Sequence, residues 1–246
     1  MNVNRLYSLD YLRGLAAFGI MIYHYSSWVF GRYSADTFMG RLGIYGVSIF
    51  YILSGLTLFH VYHENMKPTL EEVLQFFKKR VFRIYPLLWL VTIIAIIISD
   101  KSPNLLHLLL NLTGLFGFFT WDVSFSTGVW SIGNELVFYV FFPLFIYFSR
   151  KNNWTFWLMA IIIFLIFLYF AFIKMHASTS PYQQTRDYFN PLNNLFLFFG
   201  GFLIGKLFHQ ITLSISAIIT LFIIGFGLFI LYPATGVRID LLTGVN

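Results

Sequence analysis

Long apolar segments, separated by short polar ones, constrain this chain more than any other feature of its sequence. Most approach the roughly 20 residues that an α-helix needs to cross ~30 Å of hydrocarbon, and the shorter ones are expected to be tilted or re-entrant. The segments lie near Leu12–Phe30, Leu42–Tyr62, Ile84–Ser99, Leu105–Phe119, Trp130–Phe148, Trp154–Ile173, Pro191–Phe208 and Leu213–Leu231. This pattern predicts an all-α fold, a polytopic transmembrane helical bundle of about eight spans in a single domain over residues 1–246.

The amino-acid composition excludes several classes of protein. With 58% hydrophobic and 11% charged residues, the chain cannot keep its apolar surface away from water, so the lipid bilayer is its expected solvent. The lack of cysteine excludes disulfides, thiol nucleophiles and cysteine-based metal sites. The net charge of +6 does not indicate a nucleic-acid partner, because the basic residues stand in short runs between apolar segments, where they set membrane topology.

The longest polar stretch predicts the orientation of the chain in the membrane. It runs from His63 to Arg83, and its basic residues are Lys67, Lys78, Lys79, Arg80 and Arg83. The positive-inside rule places this stretch in the cytoplasm, and with two spans before it the N-terminus is cytoplasmic as well. Its apolar residues recur at helical spacing beside charged ones, which predicts an amphipathic helix on the cytoplasmic membrane surface that leads directly into the third span.

Arg13 and His24 are ionisable residues inside the first apolar segment. They stand eleven positions apart, which in a helix is three turns plus about 20°, so both lie on one face and about 16 Å apart along the axis. Asp10 precedes Arg13 by one helical turn and is expected to pair with it. Buried ionisable side chains are costly in lipid, so this face is a candidate active site. The alternatives are a snorkelling anchor for Arg13 and an inter-helix hydrogen bond for His24.

Two further polar groups are candidates for the same site. Arg80 and Arg83 are three residues apart, so both guanidinium groups are expected to converge on one anionic ligand, unless they only anchor the helix to lipid headgroups. Ser131, Glu135 and Tyr139 form a polar stripe at i, i+4 and i+8. Glu135 either orients His24 as a base or pairs structurally with an arginine. No metal site is expected, because the other histidines are interfacial or scattered.

Four segments in this order resemble the membrane-bound acyltransferase 3 family. Ser8–Gly14 followed by His24 is similar to its Arg-x10-His signature, and Gly46–Gly55 to its second-span motif. Arg80–Pro86 is similar to its Arg-x-x-Arg segment, and Trp130–Tyr139 to its Trp-Ser-x-x-x-Glu-x-x-Phe-Tyr segment. The resemblance covers about the first 140 residues of the chain, and the rest matches only in being hydrophobic.

The resemblance implies transfer of an acetyl or other short acyl group from acetyl-CoA to a hydroxyl of a cell-surface glycan or lipid-linked glycan, across the bacterial inner membrane. His24 and Arg13 are then the catalytic pair, with Glu135 as orienting or acidifying group, and no metal takes part. Arg13, Arg80 and Arg83 would bind the CoA phosphates from the cytoplasm. The hydroxyls of Ser54, Ser131 and Tyr139 are candidate oxyanion donors.

The length of the chain departs from the family pattern. Members usually have about ten spans and well over 300 residues, which leaves a naturally short member or an inactive truncated acyltransferase as alternatives. A third alternative is a non-enzymatic transporter or flippase, in which Arg13, Glu135 and His24 line a permeation path.

Overall fold

The computed structural model describes residues 7–31, 33–34, 36–67, 69–99, 103–175 and 180–231, and within them the ordered elements are all helices. The helices are α1 (Tyr7–Phe30), α2 (Phe38–Tyr62), α3 (Leu70–Ser99), α4 (Leu105–Leu112), α5 (Phe116–Phe119), α6 (Val129–Lys151), α7 (Asn153–Tyr169), α8 (Pro181–Phe189), α9 (Pro191–Phe208) and α10 (Ile215–Leu231). A π-helical turn at Phe170–Lys174 extends α7. The prediction of an all-α membrane bundle is confirmed.

About five helices in the described residues are long and apolar enough to cross a membrane, so the prediction of about eight spans was wrong. Within the described residues, the segments long and apolar enough to cross a membrane are Phe38–Tyr62, Leu70–Ser99, Val129–Lys151, Asn153–Lys174 and Tyr182–Phe208. Polar residues dilute α1, and α10 has only 17 residues. The segment Leu105–Phe119 breaks into the short helices α4 and α5, because Gly114 between them adopts a left-handed conformation with φ of 70°.

The predicted amphipathic helix is the first half of α3, which continues without a break into the apolar second half. The whole helix has 30 residues and is therefore about 45 Å long. Val73, Phe76 and Phe77 pack against the main core, whereas Leu70 and Leu74 are exposed. Part of the apolar face therefore packs on the other helices.

Aromatic rings fill the centre of the bundle between α2, α3, α6, α7 and α9. The rings that are almost fully buried belong to Phe76, Phe138, Phe142, Phe145, Phe156, Phe198 and Phe202. Their centroids lie close together, as for Phe76 and Phe142, which stack at 5.2 Å. This aromatic core packs next to the site described below.

Glycines bring α1, α2 and α9 into close contact. A Cβ atom at Gly55 of α2 would lie 1.9 Å from the Phe198 carbonyl oxygen of α9, so only glycine permits this approach. On the other side of α2, a Cβ atom at Gly43 would lie 2.2 Å from the ring of Tyr23 in α1. Since Tyr23 precedes His24, this contact fixes the C-terminal half of α1 against α2.

Candidate active site

Six of the site residues predicted from the sequence line a cavity of about 1160 Å³. They are Arg13, His24, Ser54, Arg83, Ser131 and Glu135. One wall is α1, and the others come from α2, α3, the start of α6, the loop at 124–128 and the end of α8. Asp10, Arg80 and Tyr139 are not among the lining residues. Residues far apart in the chain thus line one cavity.

Arg13 and His24 both line the α1 wall, so their spacing does place them on one face. The Arg13 Nη2 group donates a hydrogen bond to the Leu53 carbonyl oxygen of α2 at 3.3 Å. Arg13 also lies within the electrostatic influence of Arg83 and Glu135. Asp10, one turn earlier, lies within the same influence but outside the cavity lining.

The His24 ring is held by aromatic neighbours. It contacts Tyr23 edge-on with ring centroids 5.2 Å apart, and Trp28 at 6.0 Å. The backbone carbonyl of His24 accepts a hydrogen bond from the Ser27 hydroxyl at 2.9 Å. In the part of the chain that the structure describes, no protein group hydrogen-bonds either ring nitrogen of His24. A neutral imidazole in this position can accept a proton from a bound molecule.

Two hydroxyl groups hold the Glu135 carboxylate. Ser54 donates to its Oε1 atom at 2.7 Å from α2, and Tyr139 donates to the same atom at 2.5 Å from one turn along α6. No hydrogen bond joins Glu135 to His24 among the described residues, so the predicted direct orientation of His24 by Glu135 is not made in this structure. Within the predicted stripe, Tyr139 therefore bonds Glu135, and Ser54 adds a second hydrogen bond from another helix.

The two arginines of α3, which were predicted to converge on one anionic ligand, point to different places in this structure. Arg83 lines the cavity. Arg80 lies behind the cavity wall, where its Nη2 group donates to the Tyr62 hydroxyl at 3.1 Å and its guanidinium faces the ring of Tyr139. Residues three apart in a helix differ by about 60° in direction and about 4.5 Å along the axis. This difference places Arg83 at the cavity and Arg80 in the aromatic core.

Ser131 lies in the cavity at the first turn of α6. Its hydroxyl donates to the Gly128 carbonyl oxygen at 2.7 Å. Gly128 precedes the helix with φ of 83°, a conformation that favours glycine. The Ser131 hydroxyl is therefore at the cavity surface and bonded to its own backbone turn.

The sequence analysis missed the opposite rim of the cavity. The loop contributes the hydroxyls of Ser124, Ser126 and Thr127, and Trp130 stacks on Phe189 of α8 with centroids 4.1 Å apart. Trp121 ties the loop to α8 by donating to the Arg186 carbonyl oxygen at 2.9 Å. The only sequence signal was a short Ser/Thr/Gly-rich stretch before Trp130, which by itself indicates a loop.

The cavity can bind an anionic molecule and a hydroxylic one. Arg13 and Arg83 place two cations on its surface against the single carboxylate of Glu135, so this part attracts negative charge. The His24 end offers a ring nitrogen, surrounded by aromatic rings and hydroxyls, that can take a proton from an alcohol. The arrangement is suited to group transfer between two substrates.

A family model described as an acyltransferase domain matches residues 6–241, nearly the whole chain. The match extends well beyond the segments whose motifs were apparent in the sequence. No curated protein and no solved structure matches the chain.

Proposed function

Because the chain belongs to the membrane-bound acyltransferase 3 family, we propose that it moves an acetyl or other short acyl group from acyl-CoA to a hydroxyl of a cell-surface glycan. The chain is a multi-pass membrane acyltransferase by family and composition. What we propose beyond this is the identity of the acyl donor, of the glycan acceptor and of the residues that act on them.

The observation that carries this proposal is the common cavity of Arg13, Arg83 and His24. Two arginines within each other's electrostatic influence repel in a low-dielectric setting, unless an anion lies between them. The phosphates of coenzyme A supply such an anion, and guanidinium groups bind phosphate with two parallel hydrogen bonds. Arg13 and Arg83 then hold the donor while its thioester extends along α1 towards His24.

The proposed chemistry is direct acyl transfer. A neutral His24 ring nitrogen takes the proton of the acceptor hydroxyl as its oxygen attacks the thioester carbonyl carbon. The carbon–sulfur bond then breaks, the ester forms, and the protonated imidazole returns the proton to the departing CoA thiolate. Glu135 supplies the negative charge that balances Arg13 beside the donor site. The hydroxyls of Ser54 and Tyr139 donate to Glu135 and that of Ser131 donates to the Gly128 carbonyl oxygen, so each of these candidate oxyanion donors would have to turn from its present acceptor to the reacting carbonyl.

The proposed setting is the bacterial inner membrane with the N-terminus in the cytoplasm. Support comes from the exposed basic residues Lys78 and Lys79 of α3, which the positive-inside rule places in the cytoplasm; a cytoplasmic N-terminus then requires that α1 cross the membrane together with α2, despite its polar residues. Arg83 follows one turn later, so the donor enters from the cytoplasm and the glycan meets His24 from the other side. The rim of Trp130, Phe189 and loop hydroxyls supports a sugar acceptor, since sugars bind aromatic faces and hydroxyl groups.

The experiment compares envelope glycan O-acetylation in cells of the encoding organism that carry the intact gene, a deletion, or His24→Ala. We expect the deletion to remove the acetyl groups that this protein adds, and His24→Ala to reduce its transfer rate roughly 100-fold or more. His209→Ala serves as control, because His209 is exposed on the far end of α9. Unchanged acetylation in the deletion and in His24→Ala would refute the enzyme; loss of surface glycan itself would favour a flippase.

A further inference from the structure

The Arg80 guanidinium is enclosed by three aromatic rings. Its central carbon lies 5.3 Å from the ring centroid of Tyr62, 5.4 Å from that of Phe76 and 5.6 Å from that of Tyr139. Phe76 and Tyr139 are buried, at 1% and 3% exposure. The Nε atom of Arg80 is buried without a hydrogen-bond partner. Aromatic faces therefore hold this cation, and Arg80 is not among the residues that line the cavity.

Arg80 has no carboxylate partner of its own among the described residues. No ion pair to it is formed there, and its side-chain hydrogen bond goes to the neutral Tyr62 hydroxyl. A half-buried cation without a counter-charge is costly in a low-dielectric environment. Arg80 is linked to a carboxylate through Tyr139, whose ring the guanidinium faces and whose hydroxyl donates to Glu135.

Tyr139 connects these two charges. One face of its ring contacts the Arg80 guanidinium, and its hydroxyl donates to Glu135 Oε1 at 2.5 Å. A cation on the ring withdraws electron density from the phenol, which makes its hydroxyl a stronger hydrogen-bond donor. Ser54 donates to the same carboxylate oxygen at 2.7 Å. Glu135 is thereby held by one oxygen, and the carboxylate is presented to the cavity.

We propose that Arg80 is a positioning residue that holds Glu135 through Tyr139, and that Arg83, one turn later, binds the acyl donor in its place. This inference rests on the proposed acyl-CoA donor. In the Arg-x-x-Arg segment of α3, Arg80 thus positions the Glu135 carboxylate, whereas Arg83 binds the donor phosphates.

The test measures donor binding and acyl transfer separately in matched variants of the same helix. Binding of coenzyme A to the purified full-length protein is measured by calorimetry, and acetyl transfer is measured as envelope O-acetylation in cells. We expect Arg83→Gln to weaken coenzyme A binding about tenfold or more. Arg80→Gln should leave binding within about twofold but slow transfer roughly 100-fold, because Glu135 is misplaced. Arg80→Lys, which keeps the cation, should recover part of the transfer rate.

A second variant keeps the aromatic cage and removes only the connecting hydroxyl. We expect Tyr139→Phe to slow transfer without changing coenzyme A binding, and Arg80→Gln with Tyr139→Phe to be no slower than the worse single variant. Weaker coenzyme A binding in Arg80→Gln, to the degree seen in Arg83→Gln, would overturn the inference, as would multiplicative losses in the double variant. A wild-type protein that neither binds coenzyme A nor acetylates the envelope would overturn the proposed function instead.

Discussion

Gly201 of α9 lies so close to Ile52 of α2 that a Cβ atom on Gly201 would be 1.9 Å from the Ile52 carbonyl oxygen. The neighbouring Gly200 has no atom within 4 Å of the corresponding position. The two glycines thus differ completely in packing, although they are adjacent in sequence. Since α2 carries Ser54 and Leu53, the contact at Gly201 also determines where the site residues of α2 lie.

Replacing Gly201 by alanine is expected to separate α2 from α9. Because the contact is with backbone, which cannot rotate away, we expect a loss of stability at or above the ~1–3 kcal/mol typical of overpacking. The measurement is the thermal unfolding midpoint of the purified protein in detergent, with Gly200→Ala as control. Equal midpoints for the two variants would show that the helices do not cross at Gly201.

Arg13→Lys keeps the positive charge of Arg13 but loses its planar fork. If Arg13 holds a phosphate and Glu135 as proposed, acetyl transfer should fall roughly tenfold or more, since lysine cannot form the paired hydrogen bonds. Arg150→Lys is the control, because Arg150 lies outside the cavity and donates to the Met66 carbonyl oxygen. Envelope O-acetylation close to wild type in Arg13→Lys would mean that Arg13 is only a membrane anchor.

Ser54→Ala removes one of the two hydrogen bonds to Glu135 Oε1. A hydrogen bond to a charged group contributes about 1.5–3 kcal/mol, so we expect the transfer rate to fall about tenfold through misplacement of the carboxylate. Thr57→Ala is the matched control on α2, because its hydroxyl bonds the Leu53 carbonyl oxygen of the same helix. A similar loss in both variants would indicate damage to α2 and no specific role for Ser54.

His63, just beyond the end of α2, makes stability depend on pH. Burial lowers the pKa of His63 below its ordinary value of 6.5, the adjacent Glu64 opposes this, and Arg150 and Lys206 add to it. Above pH 6.5 the imidazole is neutral in both folded and unfolded chains. As the pH falls below 6.5 the unfolded chain takes up the proton first, so stability decreases until the lowered pKa is passed.

We therefore expect the unfolding midpoint to drop between about pH 7.5 and about pH 5, and His63→Gln to reduce that drop. His209→Gln, at an exposed residue of the same end of the bundle, is the control. If the unfolding midpoint of His63→Gln drops as much as that of the wild type, groups other than His63 cause the pH dependence.

Much of the local structure followed from the sequence because it depends on short-range periodicity. The spacing of Arg13 and His24 was sufficient to place them on one helix face, and the i, i+4 spacing of Glu135 and Tyr139 was sufficient to place them on one stripe, where the structure then shows a hydrogen bond between them. Span number did not follow, because a run such as Leu105–Phe119 is mostly apolar but contains Gly114, whose positive φ separates two short helices. The hydrophobicity of the sequence alone does not predict this break in the helix.

The sequence by itself determined that this protein is a helical membrane protein, that Arg13 and His24 share a face, and which family it belongs to, because composition, helical period and ordered motifs are local properties. Only the tertiary structure decided that Ser54, 81 residues away, bonds Glu135, and that Arg80 faces the aromatic core while Arg83 faces the cavity. These pairings depend on how α2, α3 and α6 cross. The crossings depend in turn on contacts such as that between Gly201 and Ile52, which no single helix specifies.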